Sequence, residues 1–351
     1  MTGVLDRRDL RARVQQALDA FLLEHRAALD AMGPELPPVA DALVAYVAGG
    51  KRMRPGFCFW GCLGAGGADT DALVTAAASL ELFQACAIVH DDVMDGSDTR
   101  RGRPAVHRAF AALHRDAGWS GDEEAFGTGA AILIGDLALS WSDEMLVTSG
   151  LAGPTVLRVF SQMRTDVVGG QYLDLVSQAS GAGTVAAALR VAHWKAAKYT
   201  VERPLHLGAA IAEADPVVYA AYSAYGLPLG EAFQLRDDVL GVYGDPEVTG
   251  KPAGDDLREG KRTALVAMAL ETASPAQQDL VRRHLGDPDL DAAGVEALRD
   301  VLLDTGAVDR VERMIDERLE QALAALDTAP LAPEATEVLR ELATAATARA
   351  H

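Results

Sequence analysis

The chain has 351 residues, of which 49% are hydrophobic and only 5% aromatic, a balance typical of an all-α fold whose helices pack through small side chains. Its formal net charge of -19 argues against a general nucleic-acid or anionic-membrane surface, because the mean field of the protein repels both. Cys58, Cys62 and Cys86 form neither an even disulfide set nor a Cys-x-x-Cys pair, so we expect buried free thiols in a reducing compartment.

Apolar residues recur at helical spacing and predict helices over 10–32, 39–47, 71–90, 128–148, 156–176, 185–213 and 217–242. Strand-like alternation is nearly absent. Gly- and Pro-rich segments separate these stretches, and the long polar segment 244–262 is a candidate lid. Helical periodicity then resumes to about Leu342, and we expect the tail, about 343–351, to fray. The simplest division is one domain over 1–351.

The N-terminal residues 1–13 are charged and lack an apolar stretch, so they do not resemble a secretory signal. A spanning helix needs about 20 apolar residues. The most apolar segments, such as 127–141 with Asp136 inside it, are short or interrupted. We therefore expect a cytoplasmic protein without a membrane span.

The sharpest signal is a cluster of carboxylates, Asp91, Asp92 and Asp95, after His90 at the end of an apolar helical run. Residues three or four apart share one helix face, so these carboxylates repel one another unless a cation binds them. The negative end of the helix dipole adds to that repulsion. Oxygen ligands without cysteine suit Mg²⁺ bridging to a phosphate. For His90 we expect an orienting or packing role rather than a catalytic one.

A second acidic pair, Asp237 and Asp238, follows the segment 233–236 in another apolar helix. Two acidic faces embedded in apolar helices can converge across a cavity, and together they favour a metal site over two solvated helix ends.

The few basic residues are clustered. Lys51, Arg52 and Arg54 follow the glycine pair 49–50, where the backbone can approach an anion and arginine can bind phosphate oxygens in a fork. A second basic cluster, 100–102, lies just beyond the first acidic cluster.

The ordered motifs resemble those of the trans-isoprenyl diphosphate synthases. They are Gly-Gly-Lys-x-x-Arg-Pro at 49–55, Asp-Asp-x-x-Asp at 91–95 with Arg-Arg-Gly at 100–102, Gly-Gly-Gln-x-x-Asp at 169–174, and Phe-Gln-x-x-Asp-Asp at 233–238. The resemblance implies an isoprenoid synthase helical bundle around a central cavity, a homodimer and three Mg²⁺ ions. It also implies condensation of isopentenyl diphosphate with dimethylallyl, geranyl or farnesyl diphosphate.

The same resemblance assigns roles to individual side chains. The expected Mg²⁺ ligands are Asp91, Asp92, Asp95, Asp237 and Asp238. The allylic diphosphate is expected to contact Arg100, Lys195 and Lys251. The diphosphate of isopentenyl diphosphate is expected to contact Lys51, Arg54, Gln84 and Arg101. The residues expected to face the reacting carbons are Gln171 and Gln234, and Lys261 is a further candidate for substrate binding. The candidate catalytic residues are Asp91, Asp92, Asp95, Lys195, Asp237 and Lys251.

Two positions depart from the family pattern. Gly241 stands where many relatives carry a third aspartate, and Asp245 is a candidate for a water-mediated contact in its place. Ala196 follows Lys195 where many relatives have threonine, which removes one hydroxyl contact. We expect both departures to tune the site, and they leave the ligands of the second motif open.

Product length in this family depends on the helix that leads into the first acidic cluster. Bulky side chains on this helix act as a floor that stops the growing product tail. Cys86 and Ala87 are small, so they leave room for the tail near Asp91. Phe83 lies about 12 Å from Asp91 along the helix axis and on nearly the same side. This spacing favours a C20 product, with C15 and C25 as alternatives and plain core packing as the other interpretation of Phe83.

Two rival functions remain. A class I terpene cyclase has a similar acidic cluster but no second diphosphate for Lys51, Arg54 and Arg101 to bind, and its cavity is expected to carry more aromatic residues. A noncatalytic partner subunit of a heteromeric synthase is expected to lose acidic motifs, whereas this chain keeps both.

Overall fold

The computed structural model describes residues 7–180, 183–244, 254–287 and 289–348. Lys251 and Asp245, both singled out in the sequence, lie outside these ranges.

The all-α expectation is confirmed. After a 3₁₀ turn at Arg7–Asp9 the chain forms α1 (Leu10–Met32), α2 (Pro37–Val47), α3 (Met53–Gly64), α4 (Asp71–Asp95), α5 (Val106–Asp116) and α6 (Glu123–Thr148). It continues as α7 (Pro154–Ser180), α8 (Val185–Val191), a π-helix (Ala192–Glu202), α9 (Arg203–Ile211) and α10 (Pro216–Tyr243). The remaining helices are α11 (Asp255–Arg258), α12 (Ala264–Thr272), α13 (Pro275–His284), α14 (Ala292–Asp304), α15 (Ala307–Asp327) and α16 (Pro333–Thr347). Between α4 and α5, β1 (Thr99–Arg100) pairs antiparallel with β2 (Arg103–Pro104).

The chain divides into two compact units. The first comprises Met1–Leu157, Pro204–Ala214 and Ala332–Val338, and the second comprises Arg158–Arg203, Asp215–Leu331 and Leu339–His351. A single domain over 1–351 therefore stays a prediction.

The first unit is built around α4, which packs against α6, α3 and α1. The Thr70 hydroxyl accepts a hydrogen bond from the Leu73 backbone N–H and so caps its first turn. Gly96, with φ 66°, ends it in the left-handed conformation that favours glycine. These two signals fix the length of α4 and so place the acidic cluster in its last turn.

The second unit is built around α10, which packs against α15 and the π-helix. A Cβ atom on Gly230 would lie 2.4 Å from the Ala197 Cα, so only glycine permits this approach of α10 to the π-helix. Side chains from α10, α12, α14 and α15 form a continuous apolar core that includes Leu235, Leu265 and Val311. This core supports the half of α10 that carries the second acidic pair.

Several predicted boundaries need correction. Helix α3 was not predicted, because almost every one of its residues is buried and its apolar pattern has no period. The short amphipathic α5 was also missed. The single helix predicted over 185–213 is divided into α8, the π-helix and α9.

Other corrections concern the polar segment and the tail. The polar segment 244–262 contains the one-turn helix α11. The predicted fraying from 343 is wrong for 343–347, because α16 continues to Thr347, whose carbonyl accepts a hydrogen bond from the buried Arg236.

Two helices are long and apolar enough to cross a membrane by length and composition alone, contrary to the expectation from the sequence. In α4, 72% of the most apolar 18-residue window is buried inside the protein, whereas in α6 the share is 39%. The core helix of a globular protein passes the same test, so these two helices are weak evidence for a span.

The predicted buried thiols are confirmed: Cys58, Cys62 and Cys86 are free and buried. Burial raises the pKa of the Cys62 thiol to about 11 and that of Cys86 to about 12, which disfavours the reactive thiolate.

Candidate active site

The first acidic motif occupies the last turn of α4, as the sequence predicts. Asp91 and Asp95 are half-buried, whereas Asp92 has no solvent exposure. The three neighbouring carboxylates therefore differ sharply in their access to a ligand.

Both carboxylate oxygens of Asp92 accept hydrogen bonds. Arg100 donates from Nε (2.8 Å) and from Nη2 to Oδ1, and the Tyr46 hydroxyl donates to Oδ2 (2.8 Å). A buried carboxylate needs such partners, because charge-assisted hydrogen bonds offset the free-energy penalty of removing it from water. Burial, followed by the charge of Asp92, raises the pKa of Tyr46, so its hydroxyl stays a donor. Asp92 anchors Arg100 in this arrangement, and its role as a Mg²⁺ ligand stays a prediction.

Arg100 and Arg101 are neighbours on the β1–β2 hairpin but contact different groups. Arg101 (φ 53°) and Gly102 (φ 72°) form a turn with two left-handed residues, the kind that fits the twist of a hairpin. Arg101 Nη1 donates to the Tyr46 carbonyl (3.1 Å), and a Cβ atom on Gly50 would lie 4.0 Å from the same nitrogen. The hairpin thus places one arginine at the acidic motif and the other at the glycine pair.

The other residues predicted to bind isopentenyl diphosphate belong to the same unit. Lys51 is exposed just before α3, Arg54 is half-buried in its first turn, and Gln84 is half-buried on α4. Arg52, which the motif includes without a role, is buried and ion-paired with Glu81.

In the second unit, the Gly-Gly-Gln motif of α7 lies against the π-helix. A Cβ atom on Gly170 would lie 2.4 Å from the Lys195 backbone nitrogen, so this contact requires glycine. Lys195 Nζ donates to Asp174 Oδ2 (2.7 Å). The structure therefore joins two predicted elements, the motif at 169–174 and Lys195, through an ion pair that sequence spacing did not reveal. Gln171 is half-buried on the same helix.

The second acidic motif also contains one exposed and one buried carboxylate, Asp237 and Asp238. Gln234 Nε2 donates to Asp238 Oδ1 (2.8 Å). Burial raises the pKa of Asp238 to about 7, while the hydrogen bond from Gln234 acts in the opposite direction. Gln234 is therefore engaged with this carboxyl group, and its predicted place facing the reacting carbons stays a prediction.

The space beside Gly241 is filled by the carboxylate of Asp256. A Cβ atom on Gly241 would lie 1.9 Å from Asp256 Oδ2, so α11 places an acidic group where many relatives have their third aspartate. Lys261 Nζ lies 3.4 Å from Asp256 Oδ1 and 2.6 Å from Glu259 Oε2. Asp256 is a residue that the motif comparison missed, since it comes from a separate segment.

The residues predicted to set product length lie in the packed part of α4. Phe83 and Cys86 are buried and Ala87 is half-buried. His90 Nε2 lies 3.1 Å from the Ile132 carbonyl, and a Cβ atom on Gly135 would overlap this ring, so His90 packs between α4 and α6.

The donor set of the acidic motifs fits Mg²⁺ chemically, because it consists of carboxylates. Within the described ranges no group of three or more His, Cys, Asp or Glu side chains is arranged to hold a metal ion by itself. Mg²⁺ usually keeps water and substrate phosphate oxygens among its ligands and needs only one or two carboxylates. The residues therefore fit an ion that is shared with a phosphate.

Comparison with known proteins identifies the family. The family model of polyprenyl synthetases matches residues 37–302. The chain is 34% identical over 297 residues to the geranylgeranyl diphosphate synthase of Mycobacterium tuberculosis, covering 84% of this chain and 80% of the relative. It is 32% identical over 291 residues to the geranylfarnesyl diphosphate synthase of Aeropyrum pernix, covering 81% of this chain and 85% of the relative.

Among solved structures, the fold is similar to that of geranylgeranyl pyrophosphate synthase from Corynebacterium glutamicum in complex with isoprenyl diphosphate and magnesium. The TM-score is 0.92 at 42% identity, and the match covers 96% of this chain and 98% of that one. The chain therefore belongs to the polyprenyl synthetase family and is a prenyltransferase of the polyprenyl diphosphate synthase type.

Proposed function

We propose that this enzyme condenses isopentenyl diphosphate with an allylic diphosphate, head to tail and in trans, in a Mg²⁺-dependent reaction that releases diphosphate. The observation that carries the proposal is the divergence of Arg100 and Arg101. Arg100 donates to Asp92 of the acidic motif, whereas Arg101 Nη1 donates to the Tyr46 carbonyl and lies near Gly50. This divergence supports two separate diphosphate sites beside one hairpin. A condensing enzyme needs two diphosphate sites, whereas a cyclase needs one.

For the allylic diphosphate, the proposed Mg²⁺ ligands are Asp91, Asp95 and Asp237, and the proposed contacts are Arg100, Lys195 and Lys251. When bound, Mg²⁺ supplies the positive charge that stabilises diphosphate as it leaves. The buried Asp92 and Asp238 orient Arg100 and Gln234. The family resemblance supports three ions.

At the second site, Lys51, Arg54 and Arg101 bind the diphosphate of isopentenyl diphosphate through charge-assisted hydrogen bonds, with Gln84 beside them. These contacts position the double bond of isopentenyl diphosphate for attack on the allylic carbon, as the bond between that carbon and the diphosphate oxygen breaks. In the family, the released diphosphate takes the final proton, so the chain needs no separate base.

The proposed product is C20 geranylgeranyl diphosphate. The two relatives named above are synthases of geranylgeranyl diphosphate, which is C20, and of geranylfarnesyl diphosphate, which is C25. The buried position of Phe83, below the small Cys86 and Ala87, supports a floor at the C20 depth. C15 and C25 are the neighbouring outcomes of the same measurement.

A homodimer in the cytoplasm is the proposed state of the enzyme. Large apolar side chains are exposed on α6, namely Phe126, Ile132, Leu133 and Val147, and on α7, namely Val168, Tyr172 and Val176. Exposed apolar side chains on each of these helices favour association with a second copy.

The test is to incubate the purified protein with isopentenyl diphosphate and, separately, dimethylallyl, geranyl or farnesyl diphosphate, with and without Mg²⁺. We expect Mg²⁺-dependent elongation that ends at the C20 mass. A cyclic hydrocarbon formed from an allylic diphosphate alone indicates a cyclase instead. Absence of elongation with every starter contradicts the proposal and favours a partner subunit.

A further inference from the structure

The loop between α2 and α3, residues 48–52, has an unusual backbone. Gly49 (φ 69°), Gly50 (φ 97°) and also Arg52 (φ 54°) lie in the left-handed region. For a residue with a side chain this conformation costs free energy and persists only where surrounding contacts impose it. The conformation at Arg52 therefore needs an explanation outside the loop.

Contacts of the Arg52 side chain supply that explanation. The guanidinium is buried, ion-paired with Glu81, and donates to the Val47 carbonyl and to Gln15 Oε1. Val47 is the last residue of α2, so Arg52 reaches back across the loop and closes it. Because Arg52 lies between Lys51 and Arg54, the same contacts set the path of the chain at both of these cations.

Gln15 on α1 binds the other end of the loop. Its Oε1 accepts a hydrogen bond from the Gly49 backbone N–H (3.1 Å) as well as from Arg52, while its Nε2 donates to Asp19 Oδ1 (2.7 Å). One turn earlier on the same helix face, Arg11 Nη2 donates to the Gly50 carbonyl (3.2 Å). The side chains of α1 thus hold both glycines of the loop.

Glu81 connects this network to other residues that are proposed to bind isopentenyl diphosphate. It lies three residues before Gln84 on α4, and therefore on the same helix face. Partial loss of hydration lowers the pKa of Arg101, and the charge of Glu81 acts in the opposite direction. This carboxylate, ion-paired with Arg52, therefore acts electrostatically on both arginines. Its negative charge offsets the mutual repulsion of the cations before a diphosphate arrives.

We infer that Gln15, Arg52 and Glu81 are positioning residues that preorganise the loop for the diphosphate of isopentenyl diphosphate. This inference rests on the proposed function, which places Lys51, Arg54, Gln84 and Arg101 at that substrate. None of the three residues contacts the reacting atoms. Their effect is to fix, before binding, a backbone that would otherwise lose conformational freedom on binding.

The test uses Gln15, which is half-buried and can be replaced with less risk to folding than the buried ion pair. Gln15→Leu keeps the volume and removes the acceptor, Gln15→Glu keeps the acceptor, and Gln16→Leu makes the same change at the exposed neighbouring position. Steady-state kinetics with each substrate varied separately, calorimetric titration of isopentenyl diphosphate alone, and thermal midpoints are measured for all four proteins.

We expect Gln15→Leu to raise the KM and the dissociation constant for isopentenyl diphosphate about tenfold, or about 1.4 kcal/mol. Its kcat and its KM for the allylic substrate stay within about twofold of wild type. Gln16→Leu remains near wild type. Gln15→Glu keeps the acceptor but places a carboxylate beside Asp19, so its rise in KM is smaller than that of Gln15→Leu. An unchanged KM for isopentenyl diphosphate in Gln15→Leu overturns the inference, as does an equal rise in both KM values with a lowered thermal midpoint. If the wild-type protein itself forms no product, the proposed function fails, and the calorimetric titration still decides the role of Gln15.

Discussion

The two acidic motifs each bury one carboxylate, and they differ in what faces it. Asp92 accepts hydrogen bonds from the Arg100 guanidinium and the Tyr46 hydroxyl, whereas Asp238 accepts one from the neutral amide of Gln234. Lys261, whose charge acts on Asp238, is itself ion-paired with Glu259 and Asp256. Each motif thus contains the same residue type in a different electrostatic setting.

The two settings differ in how far they compensate a buried carboxylate for its lost hydration. An arginine supplies opposite charge and two donors in one plane, which compensates for lost hydration. An amide supplies a dipole only, so burial dominates and the pKa of Asp238 rises to about 7. The second motif therefore contains a group that titrates near neutral pH.

The largest expected effect on activity comes from replacing the more exposed carboxylate of each motif, since the two motifs are alike in having one. Asp91→Ala and Asp237→Ala should each lower the rate of elongation about 10³-fold, because each removes a proposed Mg²⁺ ligand. Product formation by mass at saturating Mg²⁺ measures this, with the exposed Asp116→Ala as the control. An Asp237→Ala variant with more than a tenth of wild-type activity contradicts an equal role for the second motif.

Asp238 predicts a pH dependence of stability. Its pKa is about 7 in the folded state and 3.8 in the reference state, so between these values only the folded protein binds the proton. The stabilisation of the folded protein by this preferential protonation is complete below about pH 4 and is lost as the pH rises through 7. In EDTA, Asp238→Asn should raise the free energy of unfolding by about 2 kcal/mol at pH 8 relative to wild type, with a smaller gain at pH 5.

Urea unfolding at both pH values measures the Asp238 effect, and Asp116→Asn is the matched control. An equal gain at pH 5 and pH 8 for Asp238→Asn shows that its carboxyl group does not titrate in this range, and the contrast between the motifs is then wrong.

Tyr46→Phe makes the first motif resemble the second by removing one of the donors to Asp92. We expect the free energy of unfolding to fall by about 1.5 kcal/mol, because a buried carboxylate oxygen is left without its hydrogen bond. Chemical denaturation measures this loss, and the exposed Tyr172→Phe serves as control. Equal stability of Tyr46→Phe and wild type shows that the hydrogen bond from Tyr46 to Asp92 makes no net contribution to the free energy of unfolding.

Gly241→Ala gives the smallest expected effect. The new methyl group must displace the Asp256 carboxylate from its place near Lys261, with a loss of about 1 kcal/mol in unfolding free energy. Gly129→Ala on α6, where a Cβ atom meets open space, should be neutral or slightly stabilising. In a double-mutant cycle, the loss should largely disappear in the Asp256→Ala background, and additive losses refute the steric explanation.

The sequence predicts the long helices and the location of the first motif well, because local signals set them. The bounds of α1 match the predicted 10–32, and Gly96 follows the acidic cluster directly. The buried α3 could not be recognised, since a helix covered on all sides lacks the period that reveals amphipathic helices.

The pairing inside the site could not be predicted, because it joins residues that are distant in sequence. Tyr46 lies 46 residues from Asp92, and Gln15 lies 34 residues from Gly49. The motif gives Asp91, Asp92 and Asp95 the same residue type, and only packing makes Asp92 the buried one. Sequence therefore identifies the candidate site residues, while tertiary contacts determine which of them are exposed and which are buried.

The π-helix that carries Lys195 makes this part of the chain sensitive to length as well as to composition. Each residue added to or removed from a helix rotates everything beyond it about the axis, by about 100° in an α-helix and by less in the wider π-helix. Deleting one residue between Ala192 and Lys195 would turn that lysine away from Asp174, even if every remaining side chain kept its identity. Over 192–202 the number of residues therefore fixes the Lys195–Asp174 contact as firmly as their identity does.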